Sequence, residues 1–123
     1  MHLTYTTKVL QDAFNAIEEF PFPVIAAAHG ACIGGATNLI AACDMRFSTK
    51  DAFFSIREVD LGLACDLGAL QRIPKSIGHS SWFREMCFTA RNFGAQEAKE
   101  KGFISATFET REAMTGERER GRF

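Results

Sequence analysis

Residues 20–43 contain no Asp, Glu, Lys or Arg. A stretch of that length can cross a bilayer as a helix, so it decides first between a membrane protein and a globular one. Its interior argues against a span. Pro21 and Pro23 stand at its start, Gly30, Gly34 and Gly35 interrupt it, and His29, Thr37 and Asn38 sit inside it. Proline removes a backbone donor and glycine loosens a helix. A buried parallel strand over 24–28, a turn over 30–35 and a helix over 36–43 buried on all sides account for it better. No membrane span is expected.

The flanking segments complete an α/β pattern. Leu10, Phe14 and Ile17 recur at helical spacing in 7–20, with Val9, Ala13 and Phe20 widening the stripe, and Pro21 and Pro23 close it. Short strands are expected over 45–48, 52–56 and 104–108. Residues 61–66 read as a loop. Helices are expected over 67–73, stopped by Pro74, over 80–89 and over 95–101, closed by Gly102. Strands alternating with helices predict parallel strands with crossovers, in one domain over 1–108. Residues 109–123 are rich in Glu and Arg with almost no apolar face, and are expected to be a frayed, disordered tail.

Charge and cysteine usage narrow the function classes. Fourteen Lys and Arg stand against 15 Asp and Glu, for a net charge of −1. No global positive field draws phosphates, so nucleic acid is not an expected partner. Cys32, Cys43, Cys65 and Cys87 form no C-x-x-C pair, and His2, His29 and His79 have no ligand spacing, so no metal site is expected. The apolar settings of the cysteines read as reduced core thiols. Residues 1–20 lack both an Arg-rich presequence and a signal-peptide core, and the terminal Gly-Arg-Phe is not a peroxisomal tripeptide.

Three features carry chemistry. Ile33-Gly34-Gly35-Ala36 follows a strand and opens a helix. Amides at such a start lack helical partners and lie at the positive end, which suits an anion or a developing oxyanion; a tight packing turn reads equally well. Glu58 ends an apolar strand and Asp66 sits in an apolar loop. Two carboxylates facing one substrate can take a proton from one carbon and return one elsewhere. The structural alternative is an Asp66 helix cap and a Glu58 pair with Arg57 or Arg46. His29 reads as a hydrogen-bonded structural histidine, Asp44 and Arg46 as a local pair, and Cys32 as a packing thiol.

Pro23-Val24-Ile25-Ala26-Ala27-Ala28-His29-Gly30, Ile33-Gly34-Gly35 and Ala42-Cys43-Asp44-Met45-Arg46-Phe47 resemble the signature of the enoyl-CoA hydratase/isomerase (crotonase) superfamily. The run from Asp51 to Lys75, with Arg57-Glu58-Val59-Asp60-Leu61-Gly62 and Asp66-Leu67-Gly68, resembles its dienoyl-CoA isomerase branch. Phe88-Thr89-Ala90-Arg91 and residues 98–104 extend the likeness, which covers about 9–108. The resemblance implies part of a ββα superhelix, a fatty-acyl-CoA substrate and no separate cofactor, coenzyme A being part of the substrate. It implies an oxyanion donor at Gly35 N–H beside Gly34, a catalytic carboxylate at Glu58 and a second at Asp66. Together they would shift a 3,5-dienoyl-CoA to its 2,4-isomer in fatty-acid β-oxidation.

Two departures stand out. The position of Asn38 normally holds a third catalytic carboxylate, and an amide there cannot exchange a proton; Ala36 replaces a usual glycine. This disfavours the alternative reading as an enoyl-CoA hydratase or another crotonase activity. The chain is also short for the family. It resembles a central fragment, which leaves open a catalytically inactive chain serving only oligomer contacts. The stripes on 7–20 and 80–89 are then expected to lack partners. The family implies a trimer or hexamer and a mitochondrial or peroxisomal location.

Overall fold

A computed structural model describes residues 2–65 and 67–120. Its elements are α1 (His2–Glu18), β1 (Ile25–Ala28), β2 (Ala31–Ile33), α2 (Gly35–Ala41), β3 (Met45–Thr49), β4 (Phe53–Ser55), a 3₁₀ helix (Glu58–Leu61), α3 (Ala69–Ser76), α4 (Ser80–Thr89), β5 (Phe93–Gly94), α5 (Ala95–Glu100), β6 (Ala106–Phe108) and α6 (Arg111–Glu119).

The expected α/β class is present as stacked strand–strand–helix turns. β1–β2–α2 makes one turn, and β3–β4 with α3 makes the next. β1 pairs parallel with β3, Ile25 opposite Met45, and β2 pairs parallel with β4, Ala31 opposite Phe53. β6 joins the other side of β3, also parallel. The two sheets run β1-β3-β6 and β2-β4-β5, so β1 and β2 are both outer strands at the same end of the coil. β5 lies antiparallel to β4, an exception to the parallel rule that two residues were too few to signal.

Aromatic packing holds the layers together. Phe54 has no exposed surface, stacks on Phe93 at 5.6 Å and meets Phe103 edge-on at 5.8 Å. Trp82 of α4 meets Phe93 edge-on at 5.0 Å. Such pairs add about 0.5–1.5 kcal/mol each beyond the area they bury. The α4 stripe, expected to lack a partner, is covered: Trp82, Phe83 and Met86 are buried. The α1 stripe is open, with Tyr5, Val9 and Leu10 exposed and no buried residue along the described part of the helix. α1 is held instead by Arg72, which donates to Glu18 Oε2 at 2.9 Å and Asn15 Oδ1 at 2.6 Å. Arg72 crosses Gly68, where φ is +115° and a Cβ would lie 1.7 Å from Nη1.

Several expectations are corrected. The turn over 30–35 contains a strand, β2, because Ala31–Ile33 finds β4 as a ladder partner. α2 is not buried on all sides, since Leu39 is 43% exposed. Pro74 does not stop α3, which runs on to Ser76: one missing donor leaves the Ile77 N–H to Ile73 O bond intact at 3.2 Å. The tail expected to be frayed carries α6, anchored by buried Met114 and started by the Thr110 hydroxyl, which accepts from Ala113 N–H at 3.1 Å. No helix among the described residues is long and apolar enough to cross a membrane.

Arg91 ties α4 to α5. Its guanidinium donates to both Glu97 oxygens, at 2.6 and 3.1 Å, and to Glu85 Oε1 at 3.0 Å, while Trp82 Nε1 donates to Glu97 at 2.7 Å. The Arg91 bonds, then the Trp82 bond, hold the Glu97 carboxyl below its ordinary range against the opposing effect of desolvation. A depressed carboxyl stabilises the fold above its unfolded pKa and stops doing so as pH falls through the folded value. Glu97→Gln is therefore expected to lower the urea midpoint at neutral pH, and to narrow its gap from the parent near about pH 3. Equal gaps at both pH values would contradict this.

Candidate active site

The candidate residues leave the C-terminal ends of two neighbouring parallel strands. This is where open α/β sheets place their ligands. Gly34 and Gly35 follow β2, and Glu58 follows β4. Parallel pairing puts both ends at the same edge, and one bond closes the ladder there: Gly34 N–H donates to Ser55 O at 2.9 Å. Thr37, on the first turn of α2, fastens the same edge from behind. Its hydroxyl lies 3.0 Å from Cys32 O and 3.2 Å from Ser55 O.

Gly34 has φ 57° and ψ −117°, a conformation that residues with a Cβ avoid. Its carbonyl accepts from Thr37 N–H at 2.9 Å and Asn38 N–H at 3.2 Å, which starts α2. Gly35 N–H meets no protein acceptor among the described residues, and a Cβ built on Gly35 would touch nothing within 4 Å. The amide is thus without a partner among the described residues.

Glu58 opens the 3₁₀ helix rather than ending a strand, and is 8% exposed. The structure brings it to Asn38, whose Nδ2 donates to Glu58 Oε1 at 2.9 Å and to Gly34 O at 3.3 Å. Asn38 is 1% exposed. Among the described residues two buried acceptors have no donor, Asn38 Oδ1 and Glu58 Oε2. Leaving such a group unmatched costs about 1–3 kcal/mol. Asp66 lies outside the described residues, and so do both its expected catalytic role and the alternative of a helix cap.

Cys87 on α4 is a neighbour that pattern reading did not place here. Burial, then contact with Cys65, then the nearby Glu58 push its thiol up to about 12. The thiol stays neutral beside Glu58. All four cysteines are free. The sequence signal was available only in part: Cys87 falls on the buried stripe of an amphipathic helix, but nothing local says which loop that stripe meets.

The other readings resolve as follows. Glu58 does not pair with Arg57 or Arg46. Arg57 donates to Asn92 Oδ1 at 2.9 Å and Ser55 Oγ at 3.2 Å, and Arg46 to Phe103 O at 2.8 Å and Cys43 O at 2.7 Å. Asp44 accepts from Val24 N–H at 2.7 Å rather than bonding Arg46. His29 is exposed and makes no hydrogen bond to a described residue. Cys32 is buried in the core. Among the described residues no three His, Cys, Asp or Glu side chains gather as a metal cluster. A cleft of about 280 Å³ opens elsewhere, between α1 and α3 around Gln11, Asn15, Gln71 and Lys75, and includes neither Glu58 nor Asn38.

Residues 2–122 match the family model for enoyl-CoA hydratase/isomerase. The chain is 53% identical over 104 residues to the mitochondrial Delta(3,5)-Delta(2,4)-dienoyl-CoA isomerase of Mus musculus, covering 85% of this chain and 32% of that protein. It is 52% identical over 101 residues to the peroxisomal one of Arabidopsis thaliana, covering 82% and 36%. It thus spans about a third of the length of these curated relatives. The crystal structure of enoyl-CoA hydratase from Bacillus anthracis superimposes with a TM-score of 0.89 at 30% identity, over 98% of this chain and 46% of that one.

The two glycines of the turn are expected to respond differently to the same substitution. Gly34→Ala should cost about 1–3 kcal/mol, from backbone conformation alone. Gly35→Ala should stay within about 0.5 kcal/mol, because its methyl meets open space. Urea denaturation of both variants measures the contrast, and equal losses would contradict the geometry.

Proposed function

Because the chain belongs to the enoyl-CoA hydratase/isomerase family, we propose that it carries the acid–base half of a dienoyl-CoA isomerase site, moving a conjugated pair of double bonds along a fatty-acyl-CoA. The observation that carries this reading is the buried Glu58, held by Asn38 through one oxygen while the other has no partner among the described residues.

In this reading the thioester carbonyl lies against Gly35 N–H, at the positive start of α2. Glu58 Oε2 takes a proton from the carbon beside the thioester. The charge spreads along the acyl chain as a dienolate whose oxygen the amide stabilises. Asp66 gives a proton to the far carbon, so no atom is gained or lost and the double bonds move one carbon toward the thioester. The two carboxyls need one proton between them at the start, and water resets them at the end. The assignment of Glu58 to the near carbon follows its position next to the amide turn. Asn38 takes no part in proton exchange. That weighs against water addition, which would call on two carboxyls at this place.

The similar proteins named as mitochondrial and peroxisomal support either compartment for this chain. The exposed Tyr5, Val9 and Leu10 on α1 favour self-association, and a trimer or hexamer is the assembly proposed.

The test follows ultraviolet absorbance as a 3,5-dienoyl-CoA becomes its conjugated 2,4-isomer. The 123-residue chain should convert it. Glu58→Gln and Asp66→Asn should each slow conversion by about 10²–10⁴-fold while coenzyme A thioester binding persists in calorimetry. An inert parent chain that binds no thioester would mean that the site is kept without the activity. Water addition to a 2-enoyl-CoA would replace the isomerase reading with a hydratase one.

A further inference from the structure

We propose that Asn38 is a positioning residue that pins both halves of the site at once, setting the direction of the Gly35 N–H and choosing which oxygen of Glu58 is free. This rests on the reading given under Proposed function, and it adds a role that amide chemistry alone makes possible.

The argument begins with the Gly34–Gly35 peptide. No peptide bond among the described residues is cis, and a trans peptide points its C=O and N–H in opposite directions. Whatever fixes Gly34 O therefore aims Gly35 N–H. Three donors converge on Gly34 O: Thr37 N–H at 2.9 Å, Asn38 N–H at 3.2 Å and Asn38 Nδ2 at 3.3 Å. Two of the three belong to Asn38. The same Nδ2 donates to Glu58 Oε1 at 2.9 Å. One primary amide has two N–H groups, enough to serve both acceptors. The reversed amide would set its oxygen against two other oxygens, so this orientation is the one the network permits.

A carboxylate at position 38 behaves differently. It has no donor when ionised, and would face Gly34 O and Glu58 Oε1 with like partial charge. Even protonated it has a single O–H, too few for both acceptors, and that proton would tie Glu58 to a shared titration. Asn38 has no side-chain proton equilibrium of its own, so its end of the pin does not titrate. Among the described residues, Cys87 of α4 is a titratable group near Glu58, and it is itself hydrogen-bonded to Cys65. Arg57, next in the chain, is turned to Ser55 and Asn92.

The experiment uses the whole chain labelled with ¹³C at the glutamate side-chain carboxyl carbons and with ¹⁵N on the backbone. Glu58→Gln assigns the Glu58 carbon signal. In Asn38→Asp the Glu58 midpoint should rise by about one pH unit or more and become two-step. In Asn38→Ala the Gly35 amide resonance should shift and its hydrogen exchange quicken. The isomerase assay should then show kcat down by about 10²-fold with KM little changed, as misplacement without lost binding predicts. Both resonance readouts work without turnover, so an inactive parent chain would remove the functional reading and leave the pin testable. If Asn38→Ala does not fold, Asn38→Asp, of the same shape, carries the test on both reporters. Should either the Glu58 midpoint or the Gly35 amide stay unchanged in the folded variants, the double pin is overturned.

Discussion

The bond from Gly34 N–H to Ser55 O is a single backbone contact at the end of a sheet, and the site depends on it. It is the last rung of the β2–β4 ladder, closing the Ile33–Ser55 pair. Without it, the turn that begins α2 and the turn that begins the 3₁₀ helix would be two loops on a surface. With it, they share one edge, and Asn38 on the first comes within 2.9 Å of Glu58 on the second. Thr37 makes the tie rigid by reaching both strand ends with one hydroxyl. Loops built over paired strand ends inherit the precision of the ladder beneath them.

The parts of the fold legible in the sequence were those encoded by local pattern. The stripe on 80–89 became α4 with the same bounds, because Trp82, Phe83 and Met86 recur at helical spacing and all find the core. The alternation of strands and helices was also legible. β2 and β5 were not, because strands of three and two residues exist only through their partner β4. α6 was missed for a related reason. One buried methionine in a highly charged segment is too little pattern to see, yet enough to dock a short helix on a finished sheet.

The site divides along the same line. Gly34, Gly35 and Glu58 were recognisable from residue type and from motif resemblance. Their mutual placement was not, since it depends on which strands lie side by side. The alternative of a Glu58 ion pair fails because Arg46 and Arg57 already satisfy carbonyl and amide oxygens elsewhere, an accounting that only three-dimensional structure supplies. The substitution at position 38 read as a loss when only proton exchange was weighed. Seen with its partners, the amide supplies donors that a carboxylate lacks.

The two outer strands at one end of the coil have a consequence of their own. β1 and β2 each pair on one side only, and they belong to the same turn. The opposite end is finished differently, with β5 reversed against β4 and α6 packed beside β6 and β3. The coil is therefore polar in the way a growing crystal face is polar. Another strand–strand turn laid on β1 and β2 would repeat the existing parallel registers and continue the helix axis. The edge that carries the candidate site would gain a new wall without any of its present bonds being rebuilt.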